Sequence, residues 1–171
     1  DSPVIRARSG EYLFILVDVS HWIIEDIEFT SEGNGALIHS FGEEGIDDIT
    51  VRNCYFHDIG SHDPDSSTSA LMIDNDSIGA NVSNIHLDSL RIENVEWGIH
   101  TKGINAEDDK DRFVSPEESY NSDYLFENIY IKNALYGGIV IGAVYNGTVR
   151  NCRVLDCATA QGAAYAPLWL R

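Results

Sequence analysis

Five nine-residue segments of this chain align without gaps: His21 to Phe29, Asp48 to Phe56, Asn84 to Ile92, Asp123 to Ile131 and Asn146 to Val154. Self-similarity of this kind constrains the fold more than any local propensity, because each copy is one unit that must bury its apolar face against its neighbours. Apolar and polar residues alternate within each copy, and period-2 alternation puts every second side chain on one face of a strand. The fourth position (Ile24, Val51, Leu87, Phe126, Val149), the seventh (Ile27, Cys54, Leu90, Ile129, Cys152) and the ninth (Phe29, Phe56, Ile92, Ile131, Val154) are expected to point inward. The fifth position is charged in every copy (Glu25, Arg52, Asp88, Glu127, Arg150) and mostly alternates in sign. It is expected to face water, where stacked opposite charges attract by about 0.2 to 1 kcal/mol per pair.

The sixth position is Asp26, Asn53, Ser89, Asn128 and Asn151. These residue types turn a backbone tightly through bonds from their own side chains, so the position marks a corner between two short strands. Asn53, Asn128 and Asn151 are expected to be buried there and bonded to backbone of the same or adjacent copies. A third short strand follows each copy after a variable gap: residues 36–40, 70–74, 98–102, 138–142 and 167–171. Corner-to-corner distances of 27, 36, 39 and 23 residues describe a basic coil of about 23 residues with insertions at 57–69 and 103–122.

Three short strands per coil, with like residues over like, predict an all-β chain: a right-handed parallel β-helix, or solenoid, of about six coils, each covering the last at roughly 4.8 Å. Residues 4–17 read as part of one further coil at the start. A β-sandwich of hairpins would need Asn-Gly or Asp-Gly turns between paired strands, and only Asn34-Gly35 and Asn146-Gly147 occur, neither between two equal strands.

The 171 residues, 43% hydrophobic and 23% charged, fit a single globular domain spanning 1–171. No apolar run approaches the roughly 18 to 20 residues of a membrane span. The formal charge of −17, without a cluster of Lys and Arg, excludes nucleic acid as a partner. Cys54 and Cys152 share a position three coils apart, roughly 14 Å at the strand spacing, and cannot form a disulfide. Cys157 is near enough in sequence to be a partner for Cys152, although all three cysteines read first as small core residues. Asn75, Asn81 and Asn146 are N-x-Ser/Thr acceptors. Neither end of the chain shows a capping segment, so the sequence is expected to be an excerpt of a longer helix, uncapped at both ends and prone to self-association through the uncapped coils.

The corner asparagines, the coil length and the three-strand pattern resemble the pectate-lyase-like superfamily of right-handed β-helix proteins over nearly the whole chain. That superfamily includes polysaccharide lyases, glycoside hydrolases, epimerases, phage tailspikes and non-catalytic surface proteins, so the resemblance specifies fold more than activity. The Arg-x-Pro-x-x-Arg of pectate lyases, the Asn-Thr-Asp, Gly-His-Gly and Arg-Ile-Lys set of polygalacturonases, and a motif like the Asn-Gly-x-Glu of alginate lyases are absent. What the resemblance implies is a secreted or cell-surface carbohydrate-active protein, a lyase or hydrolase acting on an acidic polysaccharide. The alternative is a structural or adhesive β-helix. It also implies where a site would lie. The corner asparagine of the superfamily joins the second and third strands, so the strand after the variable gap is the first, and its outer face forms the sugar-binding groove.

By alternation, Leu37, Leu71, Ile99, Ile139 and Leu168 face in, so Ile38, Met72, His100, Val140 and Trp169 face out, followed by Ser40, Asp74, Lys102, Gly142 and Arg171. His39 falls at an inward position. β-Elimination from a uronic acid needs a base for the proton next to the carboxylate and a cation to neutralise that carboxylate. Lys102 or His100 is the candidate base. Arg171 is the candidate neutraliser, or a Ca²⁺ held by Asp74, Asp76 and the acidic run that contains Asp108 and Asp109; no cofactor is otherwise required. Hydrolysis would instead pair Asp74 with Asp58, Asp63 or Asp65. Trp169 and Met72 are candidates for stacking against a sugar ring.

Overall fold

The computed structural model describes residues 2–41, 44–60, 68–75, 81–102, 121–142, 144–159 and 166–170. Among these residues there is no helix, and so none long and apolar enough to cross a membrane. The chain opens with β1 (Val4–Ala7) and β2 (Phe14–Val17). The first repeat forms β3 (Trp22–Glu25), β4 (Glu28–Ser31) and β5 (Ala36–Ser40), and the second β6 (Ile46–Arg52), β7 (Tyr55–Ile59) and β8 (Ser69–Asn75). The third forms β9 (Val82–Asp88) and β10 (Arg91–Lys102), and the fourth β11 (Asn121–Ser122), β12 (Leu125–Glu127) and β13 (Tyr130–Ile141). The fifth forms β14 (Thr148–Arg150), β15 (Arg153–Leu155) and β16 (Leu168–Leu170).

All pairings between these strands are parallel, and each joins equivalent strands of successive repeats. One sheet runs β3-β6-β9-β12-β14, with β11 beside β9. The larger sheet contains two such runs, β1-β4-β7-β10-β13-β15 and β2-β5-β8-β10-β13-β16. They share β10 and β13, because in these two repeats the second and third strands fuse into one element of 12 residues that bends partway along. The bends fall at Asn94 and Asn133, both with positive φ.

The apolar positions read from the repeat form the core. Phe29, Phe56, Ile92 and Ile131 are fully buried in one column, and Val51, Leu87 and Phe126 in another. Phe29 and Phe56 stack with ring centroids 4.7 Å apart. The charged column faces outward as expected. Arg52 Nε donates to Glu25 at 2.6 Å and Arg150 Nε to Glu127 at 2.8 Å.

The corner position behaves differently from expectation. Asp26, Asn53, Ser89, Asn128 and Asn151 all adopt left-handed φ between 52° and 59°, so each is a corner. Yet Asn53, Asn128 and Asn151 are exposed, not buried. The backbone is what needs the turn: the N–H of Asp26, Asn53, Ser89 and Asn128 donates to the fifth-position carbonyl of the next repeat, while the side chains lie in a ladder on the surface. Two further ladders of left-handed corners occur. One is the first position of the repeat, His21, Asp48, Asn84, Asp123 and Asn146; the other is Asp58, Asn94, Asn133 and Asp156. Asn and Asp tolerate this region better than other side chains, which is why the repeat concentrates them at three places.

Candidate functional site

The outer face of β8, the second half of β10, the second half of β13 and β16 carries most of the candidate residues. Leu71, Ile99 and Ile139 are fully buried, so the residues that follow them point the other way. Met72, His100, Val140 and Trp169 are consecutive register partners, and Asp74 is the partner of Lys102. Met72, Asp74, His100, Lys102 and Trp169 are all half-buried. The expected outward row is thus present by register in four adjacent strands, but Val140 within it is covered and only 4% exposed, and Leu168, expected inside, is exposed on the edge strand β16. In β5 it is displaced by one residue: Leu37 pairs with Met72, Ile38 with Ile73 and His39 with Asp74. Ile38 is therefore inside and fully buried, Ser40 is buried against Asp18, and His39 belongs to the row of Asp74 and Lys102, stacked on Phe41 at 3.7 Å. A one-residue slip exchanges the two faces of a strand, and the sequence of β5, apolar at three consecutive positions, does not specify its register.

Two aromatic residues join this face without having been expected there. The pairing of β10 with β13 shifts register between Val95 and Trp97, which re-aims Trp97. Its indole stacks on His100 at 5.2 Å and approaches Tyr136 at 5.6 Å. Gly137 lies directly beneath, where a Cβ would stand 2.9 Å from the indole. The sequence signal was present, since Gly137 aligns with an aromatic residue one strand away, but the bulge that brings Trp97 and His100 together has no marker in the alternation.

The end of β10 is fixed from inside. Asn75 and Asn121 are fully buried; Asn75 Nδ2 donates to Asn121 Oδ1 at 3.2 Å, and Asn121 Nδ2 donates to the backbone carbonyl of Lys102 at 3.0 Å. Thr101 exchanges hydrogen bonds with the backbone of Gly142 at 3.0 and 3.2 Å. These contacts set the main chain under Lys102 while leaving its side chain on the outer face. A fully buried Asn75 is also closed to glycosylation in the folded chain, unlike the exposed Asn81 and Asn146.

Arg171, Asp76, Asp108 and Asp109 lie outside the described residues, as do Asp63 and Asp65, so Asp74 alone of the expected metal ligands is placed. Asp58 is taken up at its corner by His57 Nδ1 at 2.8 Å and by the Asn94 amide at 3.0 Å. Elsewhere, His86, Asp88 and Glu127 bring ligand atoms within 4.8 Å of one another on the outer face of the smaller sheet. Asp88 Oδ1 accepts from Asn128 and Ser89, and Glu127 is held by Arg150 and by His86 itself, so the group forms a surface ion-pair ladder. The three cysteines are free, and burial pushes each thiol up, which disfavours the nucleophilic thiolate.

No protein-family model, curated protein or solved structure matches this chain.

Proposed function

We propose that the chain is a right-handed parallel β-helix of a secreted or cell-surface carbohydrate-active protein that degrades an acidic polysaccharide by β-elimination on the outer face of β8, β10, β13 and β16. The observation that carries this reading is the pairing of Asp74 with Lys102 in register beside His100, on a half-buried face that also presents Trp97, Tyr136 and Trp169. Aromatic rings offer flat apolar surface to a sugar, and a cation beside them meets its carboxylate. In the proposed reaction Lys102 or His100 takes the proton next to the uronate carboxylate. The electron pair closes a carbon–carbon double bond, the glycosidic C–O bond at the neighbouring carbon breaks, and the leaving oxygen takes up a proton. Hydrolysis would pair Asp74 with Asp58, which is committed to a corner by His57 and Asn94, or with Asp63 or Asp65, which lie outside the described residues.

Screening acidic polysaccharides for unsaturated, ultraviolet-absorbing chain ends, and in parallel for new reducing ends, tests this reading. Release of reducing ends without unsaturation would replace elimination by hydrolysis. The second reading, a non-catalytic structural or adhesive β-helix, would be favoured by the absence of any product from every polysaccharide.

A further inference from the structure

A second face carries a different pattern. Tyr55, Arg91, Tyr130 and Arg153 are consecutive register partners on β7, β10, β13 and β15, one per strand, and Phe56, Ile92 and Ile131 beside them point into the core. Ring and guanidinium therefore alternate along the outside of the sheet at the roughly 4.8 Å spacing of neighbouring strands, with the two arginines roughly 10 Å apart. Arg91 lies over the Tyr55 ring at 4.8 Å and binds Glu93 through Nη2 alone, at 2.9 and 3.1 Å. Its Nε and Nη1 have no partner among the described residues. Tyr55 donates to Glu93 at 2.9 Å, and burial together with that bond pushes its phenol up to about 12, so it stays a neutral ring.

Lys132 sits in register beside Glu93, and neither Lys132 nor Arg153 makes an ion pair or hydrogen bond among the described residues. This sets them apart from Arg52 and Arg150 on the smaller sheet, each closed on a glutamate. Arg91, Lys132 and Arg153 thus gather on one face of a chain of net charge −17, with Glu93 as the carboxylate between Arg91 and Lys132. At physiological ionic strength screening acts within about 8 Å, so a local cluster can attract an anion despite the overall field.

We propose that this face binds an anionic polysaccharide laid across the strands, its sugar rings stacked on Tyr55 and Tyr130 and its carboxylate or sulfate groups taken by Arg91, Lys132 and Arg153. Guanidinium groups pair with such anions in a planar fork, and tyrosine supplies a flat ring at low cost in side-chain freedom. The face is separate from the β8 and β10 site and does not depend on catalysis there.

Binding of hyaluronan, polygalacturonate, neutral dextran and duplex DNA is measured by calorimetry at physiological salt for the wild type, Lys132→Gln/Arg153→Gln, Tyr130→Leu and Arg52→Gln. The proposal expects at least one acidic glycan to bind and dextran not to bind. It expects the double variant to weaken binding at least about tenfold with an unchanged melting curve. Tyr130→Leu should weaken it by a smaller factor, and Arg52→Gln, on the smaller sheet, should leave it as it is. Unchanged binding in both the double variant and Tyr130→Leu overturns it, as does failure of both acidic glycans to bind or equally tight binding of DNA. An equal loss in Arg52→Gln would make the effect one of overall charge and overturn this inference, whereas the function proposed above stands or falls on product release.

Discussion

Asn128 donates its side-chain amide to Asp88 Oδ1 at 2.8 Å, across two successive repeats and on the surface of the molecule. The same asparagine holds a φ of 55°, and its backbone N–H donates to the carbonyl of Arg150 in the next repeat at 3.2 Å. The corner thus has two separable parts: a left-handed backbone that the stacking requires, and an exposed side-chain ladder that accompanies it.

Glycine separates them. Asn128→Ala puts a Cβ in a left-handed conformation and removes the surface bond, and should cost about 1 to 2 kcal/mol. Asn128→Gly removes the same bond but suits the backbone, and should recover most of the loss. Urea unfolding of both variants checks this; equal loss in the two would show that the side-chain bond is what matters.

The ladder has a pH signature. The Asn128 amide holds the Asp88 carboxyl below its ordinary value, and Arg150 together with His86 does the same for Glu127. A carboxyl depressed in the folded state contributes stability that is complete above the unfolded pKa of about 4 and is lost as pH falls through the native value. The melting temperature should therefore be flat just above that range and decline below it. In Asn128→Ala the Asp88 pKa, followed by NMR, should move up toward the ordinary value. An unmoved Asp88 would detach it from the corner.

Tyr124 stands in the core column of Ile49 and Ile85, and its hydroxyl is buried without a partner among the described residues, which raises its pKa well above the usual value. Burying an unsatisfied hydroxyl costs about 1 to 3 kcal/mol. Tyr124→Phe should consequently leave stability unchanged or raise it by about 1 kcal/mol, and a drop in the melting midpoint would mean that the hydroxyl is bonded.

Asn121 is the inner support of Lys102. Asn121→Leu leaves Asn75 and the Lys102 carbonyl without that amide, and should cost about 1 to 3 kcal/mol. If polysaccharide is degraded, the turnover of this variant should fall more than its substrate affinity, because the displaced group acts through Lys102. Wild-type turnover in a folded Asn121→Leu protein would remove it from the site.

The repeat made the parallel, all-β organisation legible, because every inward column from Ile24 to Val154 could be aligned by residue type. It also placed Asp74 opposite Lys102, since Leu71 and Ile99 fix the register of their strands. It failed at β5, where Ala36, Leu37 and Ile38 offer three apolar residues in a row and the observed slip is as hydrophobic as the expected pairing. It failed for burial at Asn128 because left-handed turns and buried amides select the same residue type. Trp97 was missed because the bulge after Val95 breaks the alternation on which orientation was read. The Asn75 to Asn121 contact joins residues 46 positions apart, and nothing local announces it.

The most direct test compares wild type with Lys102→Ala against a panel of uronate-containing polysaccharides, following unsaturated chain ends by ultraviolet absorbance with the melting curve of each protein as control. The outward side chain contributes little packing, so the variant should melt with the wild type, within about 0.5 kcal/mol. The wild type should release unsaturated ends from at least one substrate, and the variant should release none. Equal rates in the two proteins, or no product from any substrate, would contradict the assignment of this face as a lyase site.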